Sequence, residues 1–310
     1  RSDYATGLTI DSSDNLYTFG CYNELSCGSN YDTSVVKHDS DGNFQWVKKL
    51  DNSSLITQGG DYVKIDSSGN IFTGGGDTVG KFNSSGVKQW MVSQTGGQGI
   101  VLDSSGNVYV SEDIWTGDNV TLTKYNSSGI VQWSQTLSSS GNDYVEGIAI
   151  DSSNNIFITG RTTGAFDGNT HVGNSDAFLI KYDSSGNKQW TKQIGTSAYE
   201  NGRSVTTDTN GNIFLTGETS GSFDGNTLIG GVDAFLTKYN SSGTKQWTKQ
   251  FGTTATDRGV AVATDNSGSV YVIGETSGGL DGNTHSGYTN CGGTCPDMFL
   301  IKYNSDGVKQ

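Results

Sequence analysis

The sequence predicts an all-β fold assembled from repeated four-stranded antiparallel units. Three observations carry that prediction. The decapeptide KYDSSGNKQW (181–190) recurs as KYNSSGTKQW (238–247), KYNSSGIVQW (124–133), KFNSSGVKQW (81–90) and KHDSDGNFQW (37–46), and KYNSDGVKQ begins a sixth copy at Lys302. Apolar runs of four to six residues, rich in Ile, Val, Phe and Tyr, stand between Gly/Asn/Asp/Ser clusters, as strands between turns do. No segment carries an uninterrupted helical period.

The units begin near Ala5, Gly60, Gly97, Val145, Arg203 and Gly259, and the fourth shows the order of parts: GIAIDSSNN, IFITG, a variable loop, DAFLIKYDSSGN, then KQWTKQIG. In AFLIKY, Phe178, Ile180 and Tyr182 share one face of a strand, and Leu179 and Lys181 the other. In DSSGN an Asp or Asn side chain bonds to backbone two residues on, and a left-handed glycine closes the hairpin. Two such turns per unit make a four-stranded meander. Repeated at this length, the meander reads as the blade of a β-propeller. Trp133, Trp190 and Trp247 are 57 residues apart, as are Asp167, Asp224 and Asp281. We read one domain over 1–310, with blades near 5–58, 59–96, 97–144, 145–202, 203–258 and 259–310. Six blades are favoured, and seven fit a longer chain. Trp46, Trp90, Trp133, Trp190 and Trp247 are read as structural, packing between neighbouring blades. Phe82, Tyr125, Tyr182, Tyr239 and Tyr303 are read the same way, as is His38, which takes that slot in the first blade.

The motifs DSSNNIFITG and GAFDGNTHVGNSDAFLIKYDSSGNKQW, with their copies, resemble the bacterial SBBP-type β-propeller repeat family. The resemblance covers the whole chain and is clearest in blades four to six; in the second blade the loop is cut to GGGDTVG. It implies a secreted or cell-surface protein and says little about activity.

Composition narrows the function. A formal net charge of −13 argues against nucleic acid or an anionic membrane surface as partner. No apolar run approaches the roughly 18 residues that a membrane span needs. Arg1 opens directly into repeat-like sequence, which reads as a processed or trimmed piece. The last copy stops before its tryptophan is due, so its fourth strand is expected from further chain, from a seventh blade or from a neighbouring molecule. Cys21 and Cys27, and Cys291 and Cys295, form two close pairs that point to disulfides and an oxidising compartment. Whether each pair bridges locally or the two link blades one and six stays open.

Chemistry-bearing positions are few. In FDGNT and LDGNT, Asp167 with Asn169, Asp224 with Asn226, and Asp281 with Asn283 offer oxygens at the spacing of a calcium loop; the competing reading is a tight Asp-Gly turn. Asp39 and Asp41 are read as turn residues. His171 and His285 follow DGNT and are read as exposed loop residues. Arg161, Glu218 and Glu275 share one position after the second strand and could contact a ligand, although charged strand ends are usually solvated. Trp115, Tyr22 and Tyr288 lie in variable loops (20–32, 111–119, 161–176, 218–233, 275–297), where they could stack on sugar rings. No GxSxG, HExxH or P-loop is present. Sialidase-type propellers have another Asp-to-Trp spacing and need an arginine cluster; this chain has only Arg1, Arg161, Arg203 and Arg258.

The expectation is a non-enzymatic extracellular or cell-surface module, without cofactor unless calcium binds. It would present its loops to a glycan or protein partner. The alternative is a structural subunit of a filament, sheath or surface layer that binds copies of itself.

Overall fold

The protein is described by a computed structural model covering residues 4–11, 13–21, 34–49, 62–113, 119–286 and 295–310. Apart from one short 3-10 turn (Leu280–Gly282), all regular structure among these residues is strand. The contacts divide the chain into two compact units, Arg1–Leu137 and Ser138–Gln310.

In the first unit, β1 (Tyr4–Ile10), β2 (Leu16–Cys21), β3 (Ser34–His38) and β4 (Phe44–Lys49) form a four-stranded antiparallel sheet in chain order. The next two blades join in one six-stranded sheet: β5 (Tyr62–Ile65), β6 (Ile71–Phe82), β7 (Lys88–Leu102), β8 (Val108–Asp113), β9 (Val120–Tyr125) and β10 (Val131–Leu137). Here β6 does the work of two strands. Its first residues pair with β5, and Thr78–Phe82 pair with the start of β7. The shortened GGGDTVG loop leaves no break between second and third strand, and β7 likewise runs from the last strand of one blade into the first of the next.

The second unit contains two regular blades: β11 (Asp143–Ile150) to β14 (Lys188–Ile194) through β12 (Ile156–Thr162) and β13 (Asp176–Tyr182), and β15 (Glu200–Thr207) to β18 (Lys245–Phe251) through β16 (Ile213–Thr219) and β17 (Asp233–Tyr239). A three-stranded sheet follows, β19 (Asp257–Thr264), β20 (Val270–Thr276) and β21 (Asp297–Tyr303), with one further bridge between Tyr303 and Lys309. These meanders are blades of a β-propeller, as the repeats predict. First strands begin two or three residues earlier than the sequence boundaries, because Asp143, Glu200 and Asp257 pair with Thr162, Thr219 and Thr276.

The alternation expected in AFLIKY is only half realised. Phe178, Leu179 and Ile180 are all fully buried, on both faces of β13: Leu179 packs toward the following blade and Phe178 against Phe166. Between the two regular blades, Phe157, Ala177 and Leu179 of one meet Val205, Leu215 and Phe235 of the next in a single core cluster.

The hairpin turns form as read. At Asp183, one carboxylate oxygen accepts the Ser185 and Asn187 amides (2.9 Å each), the other accepts the Asn187 side chain, and left-handed Gly186 donates to the Asp183 carbonyl. Asp14 and Asn154 take the glycine's place at φ 59° and 60°, a conformation that short polar side chains tolerate.

A second repeated device joins the blades. In each of the first five, the tryptophan packs on the aromatic of the second strand (Tyr17, Phe72, Tyr109, Phe157 or Phe214) with ring centroids 5.9–6.4 Å apart. The lysine of the KY motif sits over that same ring, 5.0–5.5 Å from its centre. Trp90, Trp190 and Trp247 then meet the last turn of the following blade. A Cβ on left-handed Gly243 would lie 2.8 Å from the Trp190 ring, and Gly129 and Gly307 stand in the same relation to Trp90 and Trp247. Lys181 and Lys238 reach over to donate to the carbonyls of Ser241 and Ser305 in those turns. His38 packs edge-on against Phe44.

Two outcomes follow. Trp190→Ala removes a ring that two blades share and should lower unfolding free energy by about 3 kcal/mol, read from the urea midpoint. The turn carboxylates set the acid limit. At Asp265 the hydroxyl of Ser267 and the amide of Ser269 hold the acid well below its usual 3.8, and at Asp39 the amide of Asn43 acts the same way. A depressed folded value contributes stability above the unfolded value, and that contribution is lost as pH falls through the folded one. Unfolding free energy should therefore be level from neutral pH down to about 5 and decline below about 4. Asp265→Asn, which copies the uncharged turns opened by Asn126 and Asn240, should make that decline shallower.

Candidate functional site

Each first strand of the second unit carries a one-residue bulge opposite the glycine of the second strand, at Glu146, Arg203 and Val260. The approach there is too close for a side chain: a Cβ on Gly217 would sit 1.9 Å from the Asn201 carbonyl oxygen. A bulge re-aims the extra residue, and here it brings side chains from two blades to one place.

Glu218 is the centre of that place. It is 3% exposed, which overturns the expectation of a solvated strand end. Arg203, the bulged residue of its own blade, donates to Oε1 from Nη2 (2.7 Å) and Nε (3.1 Å), and Arg258 of the next blade donates to Oε2 from Nε (2.5 Å). Burial works against the Arg203 cation, but the Glu218 charge and hydrogen bonds outweigh it, and its pKa is raised. Among the described residues no hydrogen bond engages the terminal nitrogens of Arg258, which is partly exposed. The two guanidiniums open into a depression of about 500 Å³ lined by Tyr199, Arg203, Glu218, Arg258, Val260 and Glu275. Burial pushes the Tyr199 hydroxyl up, so it is neutral at physiological pH. Of the three equivalent positions, Glu218 and Glu275 thus share one site, while Arg161 stacks on Tyr144, 3.9 Å from the ring centre.

The DGNT loops are occupied by their own contacts. Asp167 bonds Lys188 (2.5 Å) and Thr191, Asp224 bonds Lys245 and Thr248, and Asp281 pairs with Lys309. Asn169, Asn226 and Asn283 turn their amides to the carbonyls of Phe166, Phe223 and Leu280. Each carboxylate therefore faces an ammonium group, with a threonine hydroxyl donating beside it at Asp167 and Asp224. No group of three His, Cys, Asp or Glu side chains is gathered for a metal among the described residues. Asp39 accepts the amides of Asp41 and Asn43, as a turn residue does.

The histidines are less exposed than expected. His171 and His285 sit over Asp176 and Asp297, with Nδ1 3.4 and 3.1 Å from a carboxylate oxygen. Trp115, Tyr22 and Tyr288 lie outside the described residues, as do Cys27 and Cys291, and of Cys21 only the backbone is described. Cys295 is disulfide-bonded. Among the described residues no helix is long and apolar enough to cross a membrane.

Three stretches, 132–167, 189–224 and 246–281, match the SBBP beta-propeller repeat. Each match runs from the last strand of one blade through the first two of the next, ending at the aspartate of the DG turn. The chain thus carries SBBP β-propeller repeats.

Regulatory protein FlaEY of Caulobacter vibrioides is 26% identical over 169 residues, half of this chain but 17% of its own length. Hydrazine synthase of Kuenenia stuttgartiensis superposes with a TM-score of 0.60 at 10% identity, over 87% of this chain and 75% of that one. A protein of unknown function from Bacteroides caccae gives 0.53 at 12% identity, over 91% and 92% of the two chains. At such identities the likeness of solved structures shows the fold alone.

The Glu218 cluster has a direct test. Glu218→Ala leaves two guanidiniums facing each other, and should lower unfolding free energy by about 2 kcal/mol. The loss should shrink in the Glu218→Ala, Arg203→Ala double variant, measured by chemical unfolding.

Proposed function

We propose that this chain is a non-catalytic binding module acting outside the cell or on its surface, with its ligand site in the depression around Glu218. The observation that carries the reading is one buried carboxylate gripping two guanidiniums from adjacent blades. The pair is held rigid, and the outward N–H groups of Arg258 are left for a ligand. A planar fork suits a carboxylate best. The partner is then a glycan or protein that presents one, with Tyr199 supplying an aromatic edge. The non-catalytic part rests on the same geometry: both oxygens of the buried carboxylate are engaged by guanidiniums, so it is not placed to exchange protons with a substrate.

Calorimetric titration with a uronate-containing oligosaccharide and with an acidic peptide tests the reading. One of them should bind, and Arg258→Ala should weaken it about tenfold or more. Binding unchanged in Arg258→Ala, or no binding of either, would move the ligand site elsewhere.

A further inference from the structure

Repetition gives the depression beside Glu218 internal controls, because its positions can be compared across the blades of one compact unit. At the first-strand bulge, two blades carry Glu146 and Arg203 and the third carries Val260. The bulge therefore tolerates a charged side chain, and strand pairing does not call for valine there. Val260 is nonetheless apolar and 41% exposed, and it lines the depression beside Arg258. Val232 is a second case. Its counterpart one blade earlier is Ser175, whose hydroxyl donates to the Glu200 carbonyl (3.0 Å). Val232 keeps the same parallel bridge to the following blade, as Ser175 does to Tyr199, but its apolar side chain lines the depression.

The depression thus joins a cationic end, the Arg258 guanidinium fixed by Glu218, to apolar sides. A uronate fits only the first. Its carboxylate stands on a ring of hydroxyls, which valine walls would strip of water without offering a hydrogen bond. A strongly acidic chain fits no better. Glu275 lies directly opposite Arg258 in the strand register and lines the same depression, so it repels a ligand with several acids. The net charge of −13 acts in the same direction. What suits both parts is one carboxylate with an apolar group next to it.

We infer that the ligand is the free carboxyl terminus of a protein chain that ends in an apolar residue. This rests on the reading that a carboxylate binds at Arg258, and it names which carboxylate. The terminal carboxylate takes the outward N–H groups of Arg258. The last side chain lies against Val232, Val260 and the Tyr199 ring, and Glu275 accepts the amide N–H of that residue. Capture of a chain end by fixed donors is a recurring mode of peptide recognition. A depression of about 500 Å³ is of the size that takes a chain end rather than an extended segment.

The test compares chain ends on one peptide by calorimetric titration. The probe is an acetylated Gly/Ser hexapeptide ending in leucine with a free carboxyl group. It should bind the unaltered protein, and amidating its terminus should weaken binding about tenfold or more. Replacing its leucine by serine should cost about tenfold as well. Val260→Asp should cause a similar loss while the fold survives, since the same bulge already carries an acid as Glu146; an unchanged urea midpoint would verify that. Equal binding of the free and amidated peptides, or of the leucine- and serine-ended ones, would overturn the inference. So would a peptide that fails to bind while a uronate oligosaccharide binds and is lost in Arg258→Ala. That result would keep the carboxylate site and discard the chain terminus. Failure of every carboxylate alike, uronate, acidic side chain and chain end, would remove the site itself.

Discussion

Within each unit the blades depend on one contact, the tryptophan of one blade laid against the closing turn of the next, seen at Trp90, Trp190 and Trp247. The ring is held from behind by a second-strand aromatic and its lysine, and its outer edge fits where the next turn carries a glycine. A larger residue at that glycine would strike the indole. The turn sequence and the tryptophan therefore constrain each other across the blade boundary, which explains why both stay uniform while the loops vary. Apolar residues are 32% of the chain, and a core this sparse relies on a few large rings used repeatedly.

The strand end carrying the DG loops and the first-strand bulges is spared that duty. Polar groups can be buried there because the chain supplies partners: Asp143 accepts from Ser139 and Thr162, and Glu200 from Thr196 and Thr219. On this scaffold the bulged position varies freely, as Glu146, Arg203 and Val260. One combination, an arginine at the bulge of one blade and another beside it in the next, builds the Glu218 cluster. Adjacent blades can thus share a site without altering the contact that joins them.

Most of the fold could be read directly because its signals are local. The DSSGN turns, the apolar runs and the spacing of 57 between tryptophans each reflect hydrogen bonds or packing within a few residues of one another, or repeat unchanged. Fusion of the second and third strands of the second blade into β6 was foreshadowed by GGGDTVG, although only the register shows β6 serving two strands and β7 joining that blade to the next. The candidate site was half legible. Glu218 and Glu275 stand out as charges at a repeated strand position, but Arg203 and Arg258 gain their role from a bulge and a blade boundary, which spacing along the chain does not reveal. The aromatic of the second strand is a further repeated part of the packing. Its recurrence as Tyr17, Phe72, Tyr109, Phe157, Phe214 and Tyr271, always paired with a KY-motif lysine, was the available signal.

The most direct test of the account is a double-mutant cycle between Gly243→Ala and Trp190→Ala, followed by equilibrium unfolding. If the indole occupies the space above the turn, Gly243→Ala should be severely destabilising in the unaltered chain, through both the clash and the left-handed backbone. In the Trp190→Ala background it should lose only the backbone part, about 1 kcal/mol. An equal loss in both backgrounds would contradict the account, and would mean that tryptophan and turn do not hold the blades together.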